Sequence, residues 1–193
     1  ALLDETPLVF PAWESLPSEH NVADAVFGGR LQVLSALESD LRPGVIVTSL
    51  PALLQPVPAR KQRDQGRRTL KIGENLDRDA LLHWLVERGF ERTSAVEVPG
   101  EFAVHGGIVD IYPPDAADPL RVELFGDEIE SIRRFSVETQ RTIETHDAVS
   151  LTVVAPLADD DAQVQAAGES LLDALPADSW LMLSEPTDLV HEG

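Results

Sequence analysis

The chain has 193 residues, 43% of them hydrophobic, and sets 34 acidic against 15 basic side chains for a net charge of −19. That length can bury a core in one or two domains, while so negative a surface opposes unaided binding to nucleic acid phosphates. Cysteine is absent, which excludes disulfides and thiolate metal sites and fits a reducing compartment; no apolar run reaches the ~20 residues of a membrane-spanning helix, so no membrane partner is expected.

In chain order, Leu8-Val9-Phe10 reads as a short buried strand. A helix follows, with Val26, Arg30, Val33, Leu34 and Leu37 near helical spacing and Pro43-Gly44 as its stop. Val45 to Thr48 is a compact strand, and Ser49 caps a short helix carrying Pro51 in its first turn. Strand, helix, strand, helix is the pattern of an α/β layer with a parallel sheet. Arg60, Lys61, Arg63, Arg67, Arg68 and Lys71 then cluster around a single acid, Asp64. The cluster reads as a solvated linker, the alternative being a contact for nucleic acid or an acidic partner.

The middle of the chain changes style. Leu70-Lys71-Ile72 is a strand, and Asp77 caps a helix that runs through Arg88 on an apolar face of Leu81, Leu82, Trp84 and Leu85, with Gly89 at its left-handed end. Strands are expected at Ala95–Val98, Glu101–His105, Ile108–Tyr112, Leu120–Phe125 and Glu128–Phe135, with turn residues between them. The tail offers a helix from Asp161 to Leu175 and a strand from Trp180 to Leu183, in the style of the start, and lacks Lys and Arg from Leu157 onward. The expected division is therefore 1–67 and 152–193 as two parts of one α/β domain, and 68–151 as an inserted α+β module with a mainly antiparallel sheet.

Within the module, Gly126-Asp127 makes a two-residue hairpin loop. That loop pairs Phe125 with Glu128, Leu124 with Ile129, Glu123 with Glu130, Val122 with Ser131 and Arg121 with Ile132. Alternation sends Val122, Leu124 and Ile129 to the core and leaves Arg121, Glu123, Phe125, Glu128 and Glu130 on a wet face. A phenylalanine among charges, with an arginine on the same strand face, has the composition of an interface hot spot. The plainer reading is that Phe125 covers a sheet edge. His105, just before Gly106-Gly107, reads as a surface residue or a hydrogen-bonding strand terminus, the alternative being a functional role.

Catalytic patterns are missing. The sequence holds no GxxxxGK[ST] phosphate loop, no HExxH and no GxSxG. Asp159-Asp160-Asp161 lacks the calcium-loop ligands that follow in an EF-hand and suits a helix N-terminus better. The expectation is a segment that is not an enzyme and has no metal or cofactor site.

The run Gly100-Glu101-Phe102-Ala103-Val104-His105-Gly106-Gly107-Ile108-Val109-Asp110-Ile111-Tyr112-Pro113 continues through Arg121–Arg133 to Thr139-Gln140-Arg141-Thr142. It resembles the N-terminal region of the bacterial transcription-repair coupling factors, itself similar to the excinuclease component UvrB. Phe10-Pro11-Ala12-Trp13-Glu14-Ser15-Leu16-Pro17 resembles the coupling factors' FPxWExLP segment, whereas UvrB has a tyrosine-rich stretch there; the N-terminal part of UvrB remains the alternative. The resemblance implies a degenerate, helicase-like parallel α/β domain with an inserted module that recruits the excinuclease component UvrA. Arg121 and Phe125 match positions that contact UvrA, with Glu123 between them. His105 stands where the family usually has arginine, so the permanent and bidentate charge of that contact is missing here. The resemblance further implies a cytoplasmic fragment of a longer protein. ATP and magnesium, RNA polymerase and double-stranded DNA would be engaged by other domains, and a C-terminal domain would fold back over the docking surface.

Overall fold

The computed structural model describes residues 6–14, 22–39, 42–154 and 169–184. Two parallel strands, β1 (Leu8–Phe10) and β2 (Ile46–Thr48), are linked through α1 (Ala25–Leu37). Asp24 caps α1 by accepting from the Phe27 amide at 2.6 Å. Ser49 caps α2 (Leu50–Leu54), which has a proline in its first turn. Phe10, Val33, Leu34, Leu37, Ala52 and Val57 share one core with Leu171 from the short α5 (Leu171–Ala174). Val57 also bridges to Glu169. The start and the tail of the chain thus pack together, and the β-rich middle is inserted between them.

Basic residues 60–71 are not a linker, although Arg60, Lys61 and Lys71 are exposed. They form α3 (Arg60–Gln65) and β3 (Arg67–Lys71). Arg63 is buried, with Nε donating to Glu38 at 2.8 Å and a second contact to Glu169 at 3.6 Å. Arg67 also pairs with Glu38, and Arg68 stacks over Trp84 at 4.5 Å. Burial alone would raise the Glu38 pKa, but the hydrogen bonds from Arg63 and Arg67 hold it below the ordinary value. Glu38 lies 25 and 29 residues from Arg63 and Arg67 in sequence, and Glu169 is more remote still, so local composition did not reveal them.

The module is one six-stranded sheet in the order β4-β5-β6-β7-β8-β9, antiparallel except for the β4–β5 pair. Its strands are β4 (Glu91–Thr93), β5 (Glu101–His105), β6 (Ile108–Ile111), β7 (Leu120–Phe125), β8 (Glu128–Phe135) and β9 (Thr142–Thr145). One face packs on α4 (Arg78–Glu87) through Leu81, Trp84 and Leu85 against Phe102, Val109 and Ile111. A ribbon of β3 with β10 (Ala148–Thr152) covers the rest of that face, placing Leu70 on Leu120, Val122, Ile129 and Ile132. Each such fully buried side chain contributes roughly 1.5–3 kcal/mol of transfer free energy, which makes this face the anchor of the module.

Two expected strands are absent. Ala95–Val98 is a loop, because the Glu101 carboxylate accepts from the Glu97 and Val98 amides at 2.6 and 3.0 Å and so takes the donors a strand would use. The edge strand is the more polar Glu91–Thr93 instead. Trp180–Leu183 has no strand partner among the described residues and lies exposed, Trp180 at 97%. Of the helix expected over 161–175, residues 161–168 lie outside the described residues, as do Asp159–Asp161 and Ser15–Pro17. No helix among the described residues is long and apolar enough to cross a membrane.

Candidate protein-docking face

The hairpin of β7 and β8 turns at Gly126, whose φ of 64° lies in the left-handed region that glycine tolerates. Phe125 pairs with Glu128 and Leu124 with Ile129, as the loop length requires. Beyond that the expected register is off by one. Glu130 is an extra residue on β8, so Glu123 faces Ser131, Val122 faces Ile132 and Arg121 faces Arg133. The bulge places Val122 and Ile132, both buried, on the same core face, where an unbroken ladder would have set Val122 against a serine. Bulges are used in this way to re-aim side chains locally.

The register across β5, β6, β7 and β8 gathers the four residues singled out from the sequence. His105 pairs with Ile108, which pairs with Glu123, which pairs with Ser131. Arg121 and Phe125 flank Glu123 two positions away on either side and so share its face. Phe125 is 80% exposed, which removes the edge-covering reading, and His105 is also exposed. Glu123 accepts from Ser131 Oγ at 2.8 Å and pairs with Arg133.

The face is not uniformly wet. Near Arg121 it is covered by Val96, Ala103 and Phe135, all buried, with Tyr112 packed against them. Asp110, buried beside Ala103, faces Arg121 across the strands. Arg121 Nε and Nη2 donate to its two carboxylate oxygens at 2.8 and 2.7 Å. The hydrogen bond to Asp110 raises the Arg121 pKa above its ordinary value against the opposing effect of burial. The Arg121 guanidinium also lies 4.2 Å from the centroid of the Phe135 ring, and Nη2 reaches Gln140 Oε1 at 3.2 Å. The arginine that the sequence placed on a wet face therefore already has a carboxylate; of its three nitrogens only Nη1 lacks a hydrogen-bond partner among the described residues. Asp110 was the residue missed. Its signal was present in Ile108-Val109-Asp110-Ile111, where a charge alternates with core positions, but locating its partner needed the register between β6 and β7.

This is a sheet with one anchored face and one face carrying a protruding aromatic at one end of β7 and a clamped arginine about 13 Å along the same strand. Such an arrangement defines a protein-interaction module. Residues 69–155 match the UvrB interaction domain family. The chain is 35% identical over 151 residues to the transcription-repair-coupling factor of Bacillus subtilis, covering 78% of this chain and 13% of that protein. It is 40% identical over 154 residues to that of Mycobacterium bovis, covering 76% of this chain and 12% of the relative. It is 37% identical over 126 residues to that of Staphylococcus aureus, covering 65% and 11%. The chain is thus homologous to a segment of the transcription-repair-coupling factors and carries a UvrB interaction domain, as the Gly100–Pro113 and Arg121–Arg133 runs indicated. It spans about an eighth of the length of these relatives.

Proposed function

We propose that this chain is a non-catalytic adaptor segment of a transcription-repair coupling factor. Its module binds the excinuclease component UvrA and so brings nucleotide excision repair to RNA polymerase stalled at DNA damage. The observation that carries this reading is Phe125, 80% exposed on the same sheet face as Arg121, Glu123 and His105. A side chain of that size gains nothing from solvent and gains much from an apolar pocket on a partner. Arg121 supplies a directional donor on the same face, about 13 Å along the strand. The match to an interaction domain supports a docking role, and the names of the curated relatives support a coupling factor over the start of UvrB.

On this reading the segment works in the cytoplasm without a cofactor of its own. ATP and magnesium, RNA polymerase and double-stranded DNA are engaged by other parts of the longer protein. Its 68–151 module is the docking unit, and a C-terminal domain of the full protein covers the same face at rest. Calorimetric titration of the chain into purified UvrA tests the reading. Phe125→Ala and Arg121→Ala should each weaken the complex at least about tenfold, or about 1.4 kcal/mol. Phe125→Ala should leave the stability of the chain within about 0.5 kcal/mol, because the ring contributes little to the core. Unchanged affinity in both variants would remove the docking proposal.

A further inference from the structure

Arg121 is held from three sides. Asp110 takes Nε and Nη2 in a two-pronged bond, Phe135 lies under the guanidinium plane, and Gln140 accepts a third bond. Gln140 is the only non-glycine residue at positive φ among the described residues, at 56°. A side chain in that conformation is strained, and strain of this kind persists where the surroundings enforce it, often beside a functional site. Two contacts enforce it here. The Gln140 amide donates to Ser136 O at 2.8 Å and its Nε2 to Val137 O at 3.0 Å, which leaves Oε1 aimed at Arg121. Asp110 is likewise unusual, a carboxylate only 3% exposed on the outer face of a sheet.

We propose that Asp110 and Gln140 are positioning residues of the docking face: with Phe135 they hold Arg121 in one orientation and leave Nη1 as the donor offered to the partner. The inference rests on the docking reading above and adds two residues that touch no partner themselves. Its physical basis is preorganisation. A loose arginine loses rotamer freedom when it is captured, whereas one already fixed by a planar bidentate bond loses little. The partner group that suits Nη1 is an oxygen acceptor, a backbone carbonyl or a carboxylate, about 13 Å along the strand from the pocket that takes Phe125. Because Asp110 already neutralises the guanidinium, a carbonyl serves as well as a charged group.

The test uses the whole chain titrated into UvrA, with thermal melting run in parallel. Gln140→Gly relieves the left-handed strain and removes Oε1, while the backbone bond to Ser136 is retained. It should weaken binding about threefold or more while the melting temperature holds or rises. Asp110→Asn keeps the size of the side chain but loses the charged two-pronged clamp, and should weaken binding about tenfold. Both losses should vanish when the same changes are made in the Arg121→Ala chain, because they act through that arginine. A purely structural role would move stability and affinity together and would persist without Arg121. If Arg121→Ala weakens the complex and neither Gln140→Gly nor Asp110→Asn does, the positioning role is overturned while the docking reading stands. If Arg121→Ala and Phe125→Ala both leave affinity unchanged, the docking reading falls and takes this inference with it.

Discussion

The inserted module and the flanking α/β half use arginine in opposite ways. In the flanking half Arg30 is 2% exposed and has no carboxylate partner among the described residues. Its donors go to the carbonyls of Pro11, Ala52, Gln55 and Pro56 and to Gln55 Oε1, and its guanidinium lies between the rings of Phe10 and Trp13 at 4.2 and 4.5 Å. Burial lowers its pKa to about 10. Arg121 in the module is also clamped, but by a carboxylate and with one amino group unengaged among the described residues. A cation satisfied by backbone carbonyls on every side fixes the path of the chain and offers nothing outward. A cation satisfied on one side remains available for recognition.

The contrast predicts where substitutions act. Arg30→Ala should cost about 3 kcal/mol or more in a urea denaturation curve, since a buried cation's packing is lost and four buried or half-buried carbonyls lose their donor at once. The affinity of the folded molecules for UvrA should not change. Equal loss of affinity at constant stability would break the division of roles. Gly28→Ala probes the seam between the two regions. A Cβ there would lie 2.5 Å from the Pro114 carbonyl oxygen, so the helix and the module loop must separate. The expected cost is about 2 kcal/mol in a thermal melt, although alanine normally improves a helix interior. A neutral or stabilising result would mean that the seam gives way easily.

A smaller effect should appear in acid. Glu38 has its folded pKa lowered: burial opposes this, but hydrogen bonds from Arg63 and Arg67 prevail. A carboxylate with a depressed folded value stabilises the fold fully above its unfolded pKa, about 4.3, and loses that contribution as pH falls through the folded value. Glu38→Gln should therefore flatten the stability curve below about pH 4.3 relative to the parent chain. An identical acid limb in the two proteins would show that the network contributes nothing.

Much of the fold was legible because it is written locally. Ser49 and Asp77 cap the helices they precede, and the two-residue loop at Gly126-Asp127 set the first two pairs of its hairpin. What was not legible depends on distant partners. The bulge at Glu130 sets the core residues Ile129 and Ile132 three apart instead of two, a break in alternation that the sequence carries but that does not by itself say which residue is the extra one. Residues 60–71 looked solvated because Glu38 and Glu169 are remote in sequence. Glu91–Thr93 hid as a strand because an edge position carries no apolar pattern. The site was half visible in the same sense. The protrusion of Phe125 follows from its charged neighbours, whereas the Asp110–Arg121 clamp follows only from which strands lie side by side.

Hydroxyl-radical footprinting of Phe125, with Trp180 as the internal reference, tests the docking face most directly. Both rings are exposed in the free chain, at 80% and 97%. With saturating UvrA, oxidation of Phe125 should be suppressed while that of Trp180 continues at its free rate. Phe125 oxidised as fast in the complex as in the free chain would contradict the account.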